Sequence, residues 1–294
     1  MELDGERPRL NLLTIDLEDW YQLTGWVFQR PSSPDPDILE RQVSRLLRLL
    51  ADRDCRATFF CLGKSLANCP HIIRQVAAAG HEIASHGWEH ERIFRIGLAA
   101  FREDLVKSLD WLQDLTGKRV AGYRAPCFSV AAEQLDGFFD ICMEAGLDYD
   151  SSVYPFRGRF YGIPAAGRAP YVARHSGEHR LMEFPLATFD WEGRRRPIAG
   201  GGSWRVLPRW LIRSMIARCN REGVPAVIYF HPSEFDSRML SVRQAVGPSL
   251  RATMWTLHQN LGRASIYRKL DSMLRDFRFG SIEEYLHERQ GVPT

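Results

Sequence analysis

The chain has 294 residues, 45% of them hydrophobic and 26% charged, enough to bury one large core and compatible with one α/β barrel or two modest domains. Its 39 basic and 36 acidic residues nearly cancel, to a formal net charge of +3, which excludes the strong basic bias of a nucleic-acid binder. The N-terminal MELDGERPRLNLLTIDLEDW carries acids and no long apolar core, so it does not read as a signal peptide, and no run of about 18 apolar residues suggests a transmembrane helix. Cytoplasmic residence is the expectation, and six cysteines without C-x-x-C spacing read as reduced, buried thiols.

Leu10 to Asp16 reads as a buried strand that ends in acids: TIDLEDWY puts Asp16, Glu18 and Asp19 within four positions. Such a cluster is either a charged loop or helix start, where the helix dipole favours acids, or part of a cation-binding set. A Pro/Ser/Asp loop, Arg30 to Asp37, leads into an amphipathic helix, Ile38 to Leu50, with Leu39, Val43, Leu46, Leu47 and Leu50 on one face. Ala57 to Leu62 is the next strand. Ile72 to Ala79 reads as a helix ending at the C-cap Gly80, before the strand His81 to His86.

SHGWEH follows, with His86 and His90 four positions apart. On a helical face that spacing brings two side chains within about 5 to 6 Å at Cβ, close enough to share one ion. The pair alone does not separate this from two surface imidazoles; the acidic cluster on a neighbouring strand end supplies the missing carboxylate. Leu98 to Thr116 is a long helix closed by Gly117, and Val120 to Tyr123 a short strand leading into GYRAPCFS. There Pro126 restricts Ala125 and holds the following backbone, so that the Cys127 N–H is either an oxyanion donor or part of a plain turn.

Later strands are expected at Leu181 to Phe184 and at Ala226 to His231, the second after a helix from Trp210 to Arg221. His231 at the mouth of a parallel sheet suits a general acid or a satisfied core imidazole, and Asp150 in LDYDSS or Glu183 in LMEFP could orient it. PIAGGGSW is either a flexible turn or a sugar-facing loop with Trp204 stacking. Phe235 to Phe279 has a helical pattern through Ile266, Leu270, Met273, Leu274 and Phe277 and is either a lid or the last barrel helix. Strands alternating with helices favour a mainly parallel sheet closed into a barrel, with chemistry at the strands' carboxyl ends, in one domain over 10–286 with 235–279 as its C-terminal helical extension.

The order of these pieces, TIDLEDWY, SHGWEH, GYRAPCFS, PIAGGGSW and YFHPSEFD, resembles the NodB-type polysaccharide deacetylases, carbohydrate esterase family 4, and within them the branch linked to exosortase-type exopolysaccharide loci. The resemblance implies a distorted (β/α)7 barrel and a metal-dependent N-deacetylase acting on an N-acetylated sugar of an exopolysaccharide or its precursor. It implies that His86 and His90 bind the metal, Asp16 is the base, Arg124 holds that base, Cys127 lends its N–H, and His231 is the acid, assisted by Asp150. The chain departs from the common Thr-Phe-Asp-Asp-Gly pattern, because Leu17 and Glu18 intervene between Asp16 and Asp19. Relatives with an Asp-x-Asp variant point to Glu18 as the carboxylate ligand, and the usual aspartate preference points to Asp19.

Zinc is the first choice of metal, with cobalt, nickel and manganese compatible. The implied partners are the saccharide and membrane-bound polysaccharide synthesis machinery, met at the inner membrane face. The alternatives are a metal-independent hydrolase of cyclic amides on the same barrel, and a non-catalytic carbohydrate-binding protein.

Overall fold

In the computed structural model the described residues are 9–28, 36–158, 162–236 and 238–290. The N-terminal eight residues and the expected loop from Arg30, up to residue 35, lie outside them.

A seven-residue run with no exposed position, NLLTIDL, forms β1 (Asn11–Leu17), an interior strand of the sheet, as expected for a strand covered on both faces. Helix α1 (Tyr21–Phe28) follows directly, then α2 (Pro36–Ala51), where Pro36 and Asp37 open the helix two residues before its apolar stripe begins. The order continues β2 (Thr58–Cys61), α3 (Gly63–Leu66), α4 (His71–Ala78), β3 (Glu82–Ser85), α5 (Ile93–Thr116), β4 (Gly122–Tyr123), α6 (Leu135–Glu144) and β5 (Tyr149–Asp150). Within α5, Gly97 is non-helical (φ 78°, ψ 169°), so the regular helix starts at Leu98, and Gly117 closes it in the left-handed conformation.

The second half adds β6 (Tyr171–Ser176), β7 (His179–Glu183), β8 (Thr188–Trp191), β9 (Arg194–Pro197), α7 (Gly201–Val206), α8 (Arg209–Arg221), β10 (Val227–Phe230), α9 (Val242–Val246), α10 (Leu250–Asn260), α11 (Ile266–Asp276), β11 (Phe279–Gly280) and α12 (Ile282–Gln290). β7 contains part of the strand expected at Leu181 to Phe184, but its antiparallel pairing with β6 and the pair β8–β9 were not expected: β6 has no buried residue and β9, RRRP, has no apolar run.

Seven strands run parallel in the order β10-β1-β2-β3-β4-β5-β7, with β6 antiparallel at the edge. This is the expected distorted seven-stranded barrel, present as a curled half-barrel. The chain after β7 crosses the gap to β10: the Ala187 N–H donates to the Val227 carbonyl (3.0 Å) and the Tyr229 N–H to that of Ala199 (2.9 Å). One apolar cluster runs from Leu10 to Tyr285. A second, small one, Val242, Val246 and Ala252 with Trp20, Phe28 and Trp255, joins α9 and α10 to α1. Within the segment from 235 to 279, α11 packs into the main core, while α9 and α10 lie over α1.

Candidate active site

The two-residue period of β1 puts Thr14 and Asp16 on one face, and a single guanidinium reads both: Arg124 Nη1 donates to Thr14 Oγ1 and to Asp16 Oδ1, each at 2.8 Å. Arg124 is fully buried and lies over the Phe60 ring at 4.1 Å. Its Nε donates to the Ser151 carbonyl (3.0 Å) and Nη2 to Ser151 Oγ (2.8 Å). A buried charge this well answered is held in one place, and Asp16 with it.

Past the strand end the chain turns, the Glu18 N–H donating to the Asp16 carbonyl (3.0 Å), and the neighbouring acids part ways. Asp19 accepts from the Tyr21 N–H (2.7 Å), Ser65 Oγ (2.8 Å) and Gln22 Nε2 (3.2 Å), opening α1. Glu18, His86 and His90 instead bring one ligand atom each within 4.8 Å of one another. Asp19 is outside that group, which corrects the expectation that it could serve as the carboxylate ligand: its oxygens are occupied by the turn that starts a helix.

The two histidines are not on a helical face, contrary to the i, i+4 argument. SHGWEH is a loop after β3, with Gly87 (φ 77°) and His90 (φ 61°) both left-handed, and the rings still approach to 5.5 Å between centroids. The loop is held from two sides. The Gly63 and Lys64 N–H groups donate to the carbonyls of Gly87 and Trp88 (3.0 Å each), and Asp104 of α5 accepts from the Trp88 (2.7 Å) and Glu89 (2.9 Å) N–H groups. A Cβ on Gly87 would stand 2.7 Å from Asp104 Oδ2, so glycine is what lets that carboxylate reach the loop.

His86 places Nδ1 2.8 Å from the Arg124 carbonyl. With the proton on Nδ1, Nε2 is left as a lone-pair donor, the usual arrangement of a metal-ligating imidazole. Glu18 Oε2 lies 2.9 Å from His90 Nε2, yet this buried carboxylate oxygen accepts no hydrogen bond. One carboxylate and two imidazoles with an orphaned oxygen among them fit a divalent cation. Burial alone would raise the Glu18 pKa, but His90, then His231 and His86, outweigh it and hold the carboxyl down at about 2.

His231, at the end of β10, puts Nε2 3.4 Å from Glu18 Oε1 and Nδ1 3.8 Å from Glu234 Oε2. Burial opposes its charge, but Glu234 first and Glu18 next raise its pKa to about 9. Glu234 is the residue the sequence reading missed. It is the third residue of the turn that starts at Pro232, forms a capping box with His231, accepts the His231 N–H (3.1 Å), and takes Arg205 Nη2 on its other oxygen (3.0 Å). The signal was present in HPSEF as a glutamate three residues after the residue that opens a helical turn.

Asp150, expected to assist His231, is engaged elsewhere. Its oxygens accept the Ser152 N–H (2.8 Å) and Ser152 Oγ (2.7 Å), while Ser152 Oγ in turn accepts the Ala125 N–H (2.8 Å). LDYDSS therefore positions the Arg124 loop through both serines. Asp150 and Glu183 are register partners on β5 and β7; burial, then the neighbouring carboxylate, pushes Glu183 well up, so the pair shares a proton. Cys127, in the turn after Arg124, has left-handed backbone (φ 54°, ψ 23°), and Glu18 and Asp16 are both near enough to act on its thiol.

The triple glycine is neither a flexible turn nor a sugar-stacking loop. Gly200 caps α7, and Trp204 is buried, its Nε1 donating to the Ile198 carbonyl (2.9 Å) and its ring edge-on to Phe230. A Cβ on Gly201 would fall 2.1 Å from the Glu234 carboxylate oxygens, and one on Gly200 2.6 Å from the Tyr229 ring. The glycines make room for the acid that backs His231.

Residues 35–137 match the family model for polysaccharide deacetylase, and residues 151–287 match a domain of unknown function, DUF3473. The chain is 27% identical over 178 residues to the peptidoglycan deacetylase of Helicobacter pylori, covering 58% of this chain and 55% of that protein. It is 28% identical over 91 residues to the peptidoglycan-N-acetylglucosamine deacetylase of Bacillus cereus, covering 31% and 33% respectively. The chain thus spans about half the length of the first relative and a third of the second. A crystal structure assigned to a polysaccharide deacetylase from Mycobacterium smegmatis shares the fold, with a TM-score of 0.50 at 20% identity over 92% of this chain and 93% of that one. From this match and these relatives, residues 35–137 carry a polysaccharide deacetylase domain of the NodB type, carbohydrate esterase family 4.

Proposed function

We propose that the chain hydrolyses the acetamide of an N-acetylated sugar, releasing acetate and leaving a free amine, and that 10–286 acts as one unit. The observation that carries this reading is the orphaned Glu18 oxygen between two histidines, flanked by the Asp16–Arg124 and His231–Glu234 pairs. Glu18, His86 and His90 would hold a divalent ion, with zinc first among ions that suit such donors and cobalt, nickel and manganese compatible. When bound, the ion supplies Lewis acidity that lowers the pKa of a water and polarises a carbonyl.

The chain's own residues account for the remaining steps. Asp16, fixed by Arg124, takes a proton from the water whose oxygen attacks the acetamide carbon. The Cys127 N–H, set by the turn at Pro126, faces the oxyanion. As the carbon–nitrogen bond breaks, His231, kept cationic between Glu18 and Glu234, gives its proton to the sugar nitrogen. The two named relatives act on peptidoglycan by their descriptions; for this chain the substrate proposed is an exopolysaccharide or its precursor, met at the cytoplasmic face of a membrane.

The test is acetate release from an N-acetylglucosamine oligomer by the purified chain, with and without a chelator, alongside metal analysis. His86→Ala and His90→Ala should each lose both bound metal and acetate release. Undiminished acetate release in either variant would sink the scheme.

A further inference from the structure

Helix α10 carries Leu250, Met254 and Leu257 at i, i+4 and i+7, and Leu261 follows at its end. All four are exposed, Leu250 at 80% of its surface and the others at about 60%. Met239 extends the stripe, since it lines the same surface groove as Leu257. The opposite face of α10, Ala252 and Thr256, is the one that packs. An apolar stripe of this size on a water-facing helix calls for an occupant.

Charge selects it. From 238 to 270 the sequence has no aspartate or glutamate and six cations, Arg238, Arg243, Arg251, Arg263, Arg268 and Lys269. Among the described residues, Arg238, Arg243, Arg251 and Arg268 make no ion pair, and all four are exposed. A second copy of the chain meeting this face by a two-fold axis would set like charges against like. A saccharide would want aromatic faces and polar groups, where the stripe offers leucine and methionine. Aliphatic side chains ringed by unpaired arginines match the boundary of an anionic lipid bilayer, acyl chains below and phosphates above.

The location gives the contact a use. Arg251 Nη2 donates to the Val27 carbonyl (3.1 Å), Trp255 meets Phe28, and Arg263 Nη1 donates to the Ser233 carbonyl (2.7 Å). These tie α10, and the turn after it that holds Arg263, to the two segments that leave the mouth, the one after Glu18 and the one after His231. We infer that the exposed face of α10, with Met239 and the surrounding arginines, docks on an anionic lipid surface and holds the mouth of the barrel beside it. The inference does not depend on the reaction assigned to the mouth.

Sedimentation of the full chain with phosphatidylcholine vesicles, with and without phosphatidylglycerol, tests it. The expected result is binding to the anionic vesicles that falls at least tenfold in the Leu250→Ser/Leu257→Ser double variant and about threefold in Arg243→Glu, with thermal unfolding unchanged in both. Absence of binding, equal binding to neutral and anionic vesicles, or partition unmoved by the double variant would each overturn it. So would light scattering that finds a dimer made monomeric by the double variant, since a second copy would then be the occupant.

Discussion

The barrel buries two groups of carboxylates, and they are answered differently. Around the mouth, Asp16 faces Arg124, Glu18 faces His90 and His231, and Glu234 faces Arg205 and His231. Deeper, Glu82, Asp150 and Glu183 meet mostly neutral donors: Tyr149 Oη (2.6 Å) and the Glu283 N–H (3.0 Å) for Glu82, Ser152 for Asp150, the Val153 N–H (3.0 Å) for Glu183. Burial pushes the pKa of Glu18, Glu234, Glu82, Asp150 and Glu183 upward. In Glu18 and Glu234 cations reverse that shift, and in the deeper three it stands, so that Glu82 rises to about 7. Burial by itself therefore does not separate the two groups; a cation at contact distance does.

The largest effect should come from exchanging the roles of two adjacent acids. Glu18→Gln should lose bound metal and bring acetate release to background. Asp19→Asn, which leaves the ligand group intact, should keep the metal and stay within a few-fold of the parent. Metal content and rate measured on both decide it; loss of metal in Asp19→Asn alone would reverse the assignment. Next, Glu234→Gln should lower the rate about 10²-fold with metal retained, the low end of what a general acid contributes, whereas Asp150→Asn, which resembles a carboxyl already sharing a proton, should change it less than threefold. A larger loss in a folded Asp150→Asn than in Glu234→Gln would return the supporting role to Asp150. Gly201→Ala pushes a methyl group onto Glu234 and should cost about tenfold in kcat, a fraction of what removing the same acid costs; an unchanged kcat would show that the glycine does not position it.

How far all this could be read from the sequence varied with the range of the interaction. β1, β2, β3 and β10 announce themselves as apolar runs, and the candidate site lies at their ends, where a parallel sheet would place one. The Leu98 start of the regular helix was legible from local propensity. The division of labour between Glu18 and Asp19 was not, because it depends on Ser65, 46 residues away, taking Asp19. Nor was Glu234 in place of Asp150 beside His231: Asp150 ends β5, and Glu234 is marked only by its place three residues after His231 and by the glycine at 201. Trp204 looked like a sugar platform because an aromatic after three glycines reads as a loop; Gly200 instead caps a short helix that carries the indole into the core.

The smallest expected effect concerns the deep group and is a matter of stability. Glu82 has a folded pKa raised to about 7 from 4.5, so its protonated form contributes stability in full below pH about 4.5, and that contribution is lost as the pH rises to about 7. At about 1.4 kcal/mol per pKa unit the loss is roughly 3 kcal/mol. Its neighbour His81 runs the other way: burial first, then Arg56, lowers it to about 4 from 6.5, so its contribution is complete above pH 6.5 and lost as the pH falls toward 4. The two slopes oppose each other over the same interval, and Asp150 and Glu183, raised as well, add to the slope of Glu82. The difference between the parent and Glu82→Gln isolates one of them. Measured by urea unfolding, the variant should gain on the parent between pH 5 and 7.5, by up to about 3 kcal/mol; a difference that does not change with pH would mean that Glu82 is ionised throughout, its three donors having outweighed its burial.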